Sequence, residues 1–342
     1  MLKNTLPIET LQPLYGKKMY PLAVEFMEQQ QNVNWFSQEI KVENDKQDFL
    51  IRMSPEQLQL AKINTQIFVE LEQDVGDIWD QISHWFPHYE IEAAAVQMKA
   101  MEISVHAPFY QKLSDVLLID PQETLALQTD VRAIKSKLEL LKDILANAST
   151  NKLLSLATLT MIEQVLLFSN FAMLKSFQAN GNNYAINTMQ GLDFVIRDET
   201  IHGEFAKFLY HTLLAETKEA NPDFDYSLLI NQIEEVADEI LGHEDAVTNY
   251  IFDSEDTVIN SIRRVELKGF TRERMNFVFE TLGLPTRYLN SENNISEWFF
   301  KDKESLSITD FFARGASNYT RDWSEVLFSR LPHMKGLLYD NK

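Results

Sequence analysis

Ile196-Arg197-Asp198-Glu199-Thr200-Ile201-His202 lies in an apolar-periodic run from about Tyr184 to Leu214 that reads as one long helix. Glu199 and His202 stand three residues apart, so both side chains leave the same face of that helix. A Glu-x-x-His pair turned into a bundle core is the repeating ligand unit of dimetal-carboxylate proteins. Taken alone the pair says little, because acidic residues precede histidine by three on many solvated helix faces. The question it raises is whether other apolar helices also carry carboxylates and a histidine where a core should be.

They do. The run from Leu153 to Phe177 is almost wholly apolar, yet Glu163 sits in its middle with no basic residue within a turn. An isolated carboxylate there is costly unless it is paired, protonated or bound to metal, and ligation is the favoured reading. From Glu90 a helix runs through Ala93-Ala94-Ala95-Val96, Met98 and Met101, with Glu102 and His106 one turn apart on one face and Tyr110 a turn further. Pro108 interrupts the hydrogen-bond ladder between them and predicts a local distortion. A further helix opens at Ser54-Pro55-Glu56, with Ser as N-cap and Pro in the first turn. Within it Glu72 falls about 40° from Phe68 and can reach the core side, Asp74 lies near Leu71 and Ile78 as a rival, and Glu70 suits the outer face.

The candidate set is therefore Glu72, Glu102, His106, Glu163, Glu199 and His202. Four carboxylates and two imidazoles on four helices are the ligand inventory of a dimetal site in a ferritin-like bundle. Hard oxygen donors with imidazole suit iron or manganese, and without thiolates nothing pulls toward zinc or copper. Tyr110, one turn beyond His106, would stand within several ångströms of a metal on that histidine and is placed to be oxidised. Leu167, Phe171 and Val195 would give it a water-poor pocket. The bland alternative for Tyr110 is a core tyrosine with a satisfied hydroxyl.

Composition agrees with an all-α protein. Among 342 residues there are 22 Phe, 11 Tyr and 5 Trp to build a core, and only 10 Gly and 10 Pro to interrupt long elements. A net charge of −20 argues against a nucleic-acid surface. The absence of cysteine excludes disulfides, iron–sulfur clusters and thiol nucleophiles. No apolar run reads as a membrane span, and Met1-Leu2-Lys3-Asn4-Thr5 lacks the apolar centre of a signal peptide, so a cytoplasmic location is expected. The remaining chain reads as a short helix near Leu22–Gln30, a turn bearing Trp35-Phe36, one outer helix over 121–148, and helices near Ser227–Asn249 and Asp256–Leu282. A looser stretch over 286–307 follows, anchored by Trp298-Phe299-Phe300. A single helical domain is expected over residues 1–315, with 316–342 as a tail.

These residues resemble the radical-generating small (β) subunit of class I ribonucleotide reductase. Arg197-Asp198-Glu199-Thr200-Ile201-His202 is similar to that family's R-D-E-x-x-H segment, and Glu163 to Phe171 to its buried-glutamate helix. His106-Ala107-Pro108-Phe109-Tyr110 keeps its spacing from ligand histidine to radical tyrosine. The resemblance implies a ferritin-like bundle with flanking helices and two metal ions per chain, iron first, with dimanganese or manganese–iron as alternatives. It implies that Glu102 and Glu199 share the metals, that Glu72 and His106 complete one site, and that Glu163 and His202 complete the other. It implies a stored radical at Tyr110, an electron path Trp35–Asp198–His106–metal, and relay through Tyr339, with Tyr319 and Trp323 behind it. It also implies a homodimer, a large (α) catalytic subunit on which the tail docks, and an oxidant that is dioxygen or comes from a flavodoxin-like activator. The sequence departs from the pattern twice. Glu102 and His106 are separated by one residue more than the family's E-x-x-H, which a π-bulge would absorb. The first-helix ligand is Glu or, in another register, Asp74, where the family usually has Asp. The rival functions are a stand-alone dimetal oxidase or oxygenase, which would need no Trp35–Asp198 path and no docking tail, and a metal-free helical scaffold.

Overall fold

The computed structural model describes residues 6–10, 18–289 and 294–305. Its centre is a bundle of four helical columns. The first is α2 (Pro55–Ser83). The second is α3 (Tyr89–Met101) continued through a wide π-type turn, Glu102–His106, into α4 (Ala107–Val116). The third is α7 (Lys152–Met161) continued through a second wide turn, Ile162–Leu166, into α8 (Leu167–Lys175). The fourth is α9 (Ile186–Ala220). Column α2 packs along α3 and α4, α7 and α8 pack along α9, and α2 meets α8 across the middle.

Local chemistry sets where these columns start. At α2 the Ser54 hydroxyl accepts from Gln57 N–H at 3.3 Å while the Gln57 side chain accepts from Ser54 N–H at 2.8 Å, a closed capping box ahead of Pro55. The start of α9 is tied to a segment far away in sequence. Asp45 accepts from Thr188 N–H at 2.6 Å and from Asn187 N–H at 3.2 Å, and Asp48 accepts from Ala185 N–H at 2.8 Å. Those bonds place anionic oxygens on the free N–H groups of the first turn and hold Ala185 at its φ of 53°. The helix then runs unbroken to Ala220, past the expected end at Leu214, and stops before Asn221-Pro222.

Around the bundle, α1 (Pro21–Asn32) lies on α3 and α9; α5 (Pro121–Asp130) and α6 (Arg132–Asn147) lie on α2; α10 (Tyr226–Ile251) packs against α6, α7 and α11 (Arg264–Thr281). Three expectations are corrected here. The single helix over 121–148 is broken at Val131, which is extended (φ −86°, ψ 99°), after the weak helix formers Thr129 and Asp130. Residues 256–263 do not begin a helix: β1 (Val258–Ile259) and β2 (Ile262–Arg263) form a hairpin. Its turn is Asn260-Ser261, both at positive φ (52° and 64°), as two-residue hairpin turns demand. The run Lys152–Gln178 is, contrary to the sequence reading, long and apolar enough to cross a membrane, with a mean hydropathy of 1.4 over its most apolar 18-residue window; 94% of that window is buried inside the bundle.

The compact unit ends at Asn293. Beyond it the expected loose stretch contains α12 (Ile295–Ser305), in which Trp298, Phe299 and Phe300 contact one another edge to face. Tyr319, Trp323, Tyr339 and the 316–342 tail lie outside the described residues.

Candidate metal centre

The four columns bring all six candidate ligands to one buried place. Glu72, Glu102, His106, Glu163, Glu199 and His202 each have 0% exposure. They form two overlapping groups, Glu72/Glu102/His106/Glu199 and Glu102/Glu163/Glu199/His202, and within each group the potential donor atoms lie within 4.8 Å of one another. Glu102 and Glu199 belong to both. On α2 it is Glu72 that joins one of these groups. Asp74 belongs to neither group; burial raises its carboxyl to about 6, beside Lys142, Glu70 and Asp77.

The extra residue between Glu102 and His106 is taken up by the wide turn spanning those two residues, which puts His106 Nδ1 at 3.1 Å from Glu102 Oε2, 3.3 Å from Glu72 Oε2 and 3.1 Å from Glu199 Oε1. On the other side His202 Nδ1 is 2.6 Å from Glu102 Oε1, 3.2 Å from Glu199 Oε2 and 4.0 Å from Glu163 Oε1. Several of these approaches are not aligned as hydrogen bonds. Glu72 Oε1, Glu102 Oε1, Glu163 Oε2, both Glu199 oxygens and both His202 nitrogens are buried without a hydrogen-bond partner. So many converging lone pairs in a dry interior are unfavourable unless a cation sits among them. Oxygen donors with imidazole fit two hard divalent ions.

Proton occupancy carries the same strain. Burial drives the Glu72 and Glu163 carboxyls well above the usual range, helped at Glu163 by the charge of Glu199. Burial opposes the charged form of His202, but the Glu102 carboxylate outweighs it and raises the imidazole to about 9. His106 is likewise raised, against burial, by Glu102 and Asp198. Against burial too, the two imidazoles hold Glu102 well below its usual range.

Behind the cluster stand groups that contact its members. His106 Nε2 lies 3.2 Å from Asp198 Oδ2, the atom to which Trp35 donates its indole N–H at 2.7 Å. Trp35 is 2% exposed, and its ring stacks on His106 at 6.0 Å. Arg197 closes the other Asp198 oxygen with bonds of 3.0 and 2.9 Å and also reaches Val33 O. Tyr110 is fully buried with no partner for its hydroxyl, so the satisfied-core-tyrosine alternative does not describe it. Its ring stacks on Phe68 (4.5 Å, 8°), which stacks on Phe171 (5.0 Å, 13°). Leu167 and Val195 are fully buried.

Sequence reasoning overlooked Trp79, whose indole donates to Glu163 Oε1 at 2.8 Å and whose ring lies edge-on to His202. The available signal was its position, two turns after Glu72 on the same helix. Arg197 and Phe68 were visible only as a neighbour of Asp198 and as an apolar position.

The chain can now be set beside known proteins. The family model of the ribonucleotide reductase small chain matches residues 16–294. A probable ribonucleoside-diphosphate reductase small subunit of Invertebrate iridescent virus 6 is 23% identical over 354 residues, 91% of this chain and 96% of the viral protein. A second, from Invertebrate iridescent virus 3, is 23% identical over 327 residues, 89% of this chain and 84% of that protein. Among solved structures, the dimanganese(II)-NrdF of Streptococcus sanguinis superposes with a TM-score of 0.70 at 18% identity, covering 84% of this chain and 98% of that one. A putative class I ribonucleotide reductase from Bacillus halodurans gives 0.72 at 16% identity, covering 82% and 99%. The two structures share the bundle described above, and the match of the family over most of the chain's length assigns it: the chain belongs to the ribonucleotide reductase small chain family.

Proposed function

We propose that this chain is the radical-generating small subunit of a class I ribonucleotide reductase. In this reading it holds two metal ions between Glu72, Glu102, His106, Glu163, Glu199 and His202 and stores a radical on Tyr110. The observation that carries the reading is the set of orphaned, buried donor atoms converging in two overlapping groups beside a buried tyrosine whose hydroxyl has no partner. When bound, a pair of redox-active ions would supply the oxidising power for one-electron oxidation of that tyrosine.

The chain's own residues do the rest. Glu72 and His106 would hold one ion and Glu163 and His202 the other, with Glu102 and Glu199 shared. Phe68, backed by Phe171, covers the face of the buried Tyr110 ring with apolar surface, and the Tyr110 hydroxyl has no hydrogen-bond partner. Asp198, held low by Arg197 despite burial, keeps an anionic oxygen on His106 Nε2 and so aims Nδ1 at the centre. The Trp35–Asp198–His106 contacts give a continuous line for electron entry, which a stand-alone oxidase has no use for. The substrate step belongs to a large α subunit, because a chain without cysteine has no thiol to reduce a ribonucleotide. Residues 316–342 would dock on that subunit, with Tyr339 as the relay. Iron is the metal read from the donors, manganese the alternative; a homodimer and a cytoplasmic location complete the proposal.

The test is low-temperature electron paramagnetic resonance with metal analysis of the same sample. Metal-free protein is loaded with iron or with manganese and exposed to dioxygen, with and without a flavodoxin-like activator, beside Tyr110→Phe. A tyrosyl signal lost in the Phe variant supports the reading and names metal and oxidant. About two metals per chain with no radical under any oxidant would move the assignment to an oxidase, and no bound metal would overturn both.

A further inference from the structure

The turn that carries Glu163 is gripped from outside the centre. In Ile162–Leu166 the backbone ring is widened, Leu167 N–H reaching back to Ile162 O. Widening takes carbonyls out of the ordinary helical ladder, and in a dry interior they must find other donors. Two carbonyl oxygens of this turn accept from buried cations. Arg274 on α11, 7% exposed, donates Nε–H to Gln164 O at 3.0 Å and Nη2–H to Gln164 Oε1 at 2.8 Å. Lys137 on α6, fully buried, donates to Leu166 O at 3.3 Å and pairs with Glu244 at 2.8 Å. The Gln164 amide then donates to Glu199 O at 2.9 Å.

One planar guanidinium thus ties α11 to the backbone of the turn bearing Glu163 and, through Gln164, to the backbone of Glu199. The rings of Phe168 and Phe277, each 4.5 Å from the Arg274 guanidinium carbon, hold the fork in its plane. Gly203 on α9 belongs to the same device: a methyl there would overlap the Gln164 side chain along its length.

We propose that Arg274 and Gln164 are positioning residues for the Glu102/Glu163/Glu199/His202 half of the centre. They fix the wide turn so that Glu163 Oε2 and the Glu199 carboxylate face one metal position, and without the fork this half loses its ion first. The inference rests on the reading that the six residues hold two metal ions.

The test uses full-length metal-free protein titrated with Mn(II), comparing wild type with Arg274→Met, Arg274→Lys, Gln164→Leu and Gly203→Ala. Equilibrium dialysis gives stepwise affinities, paramagnetic resonance separates an isolated ion from a coupled pair, and thermal unfolding of the metal-free proteins reports the fold. Wild type should bind a coupled pair. Each variant should bind the first ion nearly as before and the second roughly 10- to 100-fold more weakly, the range for loss of a group that orients a ligand. The hyperfine-split signal of an isolated ion should then appear at loadings where wild type shows the pair. Arg274→Lys keeps the charge and loses the fork, so it should share the defect; wild-type behaviour there would overturn the geometric argument. Should Arg274→Met not fold, Gln164→Leu and Gly203→Ala carry the test. Two ions bound with wild-type affinity in these variants, or both ions weakened equally, would overturn the proposal and leave the dimetal reading standing. Wild-type protein that binds no pair would remove both.

Discussion

Loading the centre with metal should expel protons, and the structure sets how many. In the metal-free protein burial keeps Glu72 and Glu163 neutral-leaning, with carboxyls well above the usual range. Against burial, Glu102 and its neighbours keep His106 and His202 charged, His202 up to about 9. Glu102 and Glu199 are held low and stay ionised. The resting cluster is therefore two imidazolium groups facing two carboxylates, with two carboxyl groups biased to neutral. Two divalent ions bring charge that four carboxylates balance only when the bound protons have gone. At pH 7 the imidazoles alone should release about two protons per pair of ions, and full ionisation of the carboxyl groups raises this to about four. Each released proton steepens affinity tenfold per pH unit, ~1.4 kcal/mol, so the product of the two binding constants should rise at least ~100-fold per unit. The sign follows from the raised imidazoles: protons compete with metal below their pKa, so binding tightens with pH, and the slope falls by about one proton as pH passes about 9, where His202 loses its proton without metal. The same shift acts on the metal-free fold. A group raised from 6.5 to about 9 adds stability that is complete below 6.5 and lost through 9, an effect of ~3 kcal/mol. Calorimetric titration with Mn(II) in buffers of contrasting ionisation enthalpy counts the protons directly. Release of less than about one proton at pH 7 would mean that the imidazoles are neutral before metal arrives, and would refute the charge assignment.

Three further outcomes are expected. Tyr110→Phe removes a buried hydroxyl that has no partner, so denaturant unfolding should change by less than ~1 kcal/mol while the radical signal disappears; a large loss of stability would show a hydrogen bond on that hydroxyl. Lys137→Met removes the buried cation beside Glu244, which keeps only the Ser169 hydroxyl, and should cost ~3–5 kcal/mol, whereas Lys137→Met with Glu244→Leu should recover part of it, since Leu166 O and Asn170 Oδ1 still lack their donor; additive losses in this double-mutant cycle would disprove the coupling. Gly191→Ala drives a methyl into the Phe109 ring, which lies 5.8 Å from Trp35 and 5.0 Å from Tyr110, so it should destabilise by ~1–3 kcal/mol and alter Trp35 fluorescence; an unchanged unfolding midpoint would mean that the helices can part there.

The amino-acid sequence by itself determined the helical class and the candidates for the centre, for one physical reason. Periodicity is a local property, and a carboxylate such as Glu163 or Glu199 within an apolar stripe stands out because its burial needs compensation. The start of α2 was legible at Ser54-Pro55 because a cap is chemistry between neighbours. Other features were decided only when the helices packed. Glu72 and Asp74 differ by about 200° on the helix rosette, and both lie beside apolar positions; the rotation of α2 against α3 and α8 puts Glu72 in the cluster. The Asn260-Ser261 hairpin was missed because strands of two residues carry no period to read. Trp79 reaches Glu163, and Arg274 reaches Gln164, across 84 and 110 residues of chain. No spacing rule connects such pairs, because the distance between them is set by how four columns cross. The apolar run Lys152–Gln178 has the composition of a membrane span, and only the surrounding helices, which cover 94% of its most apolar window, make it the inner wall of the centre.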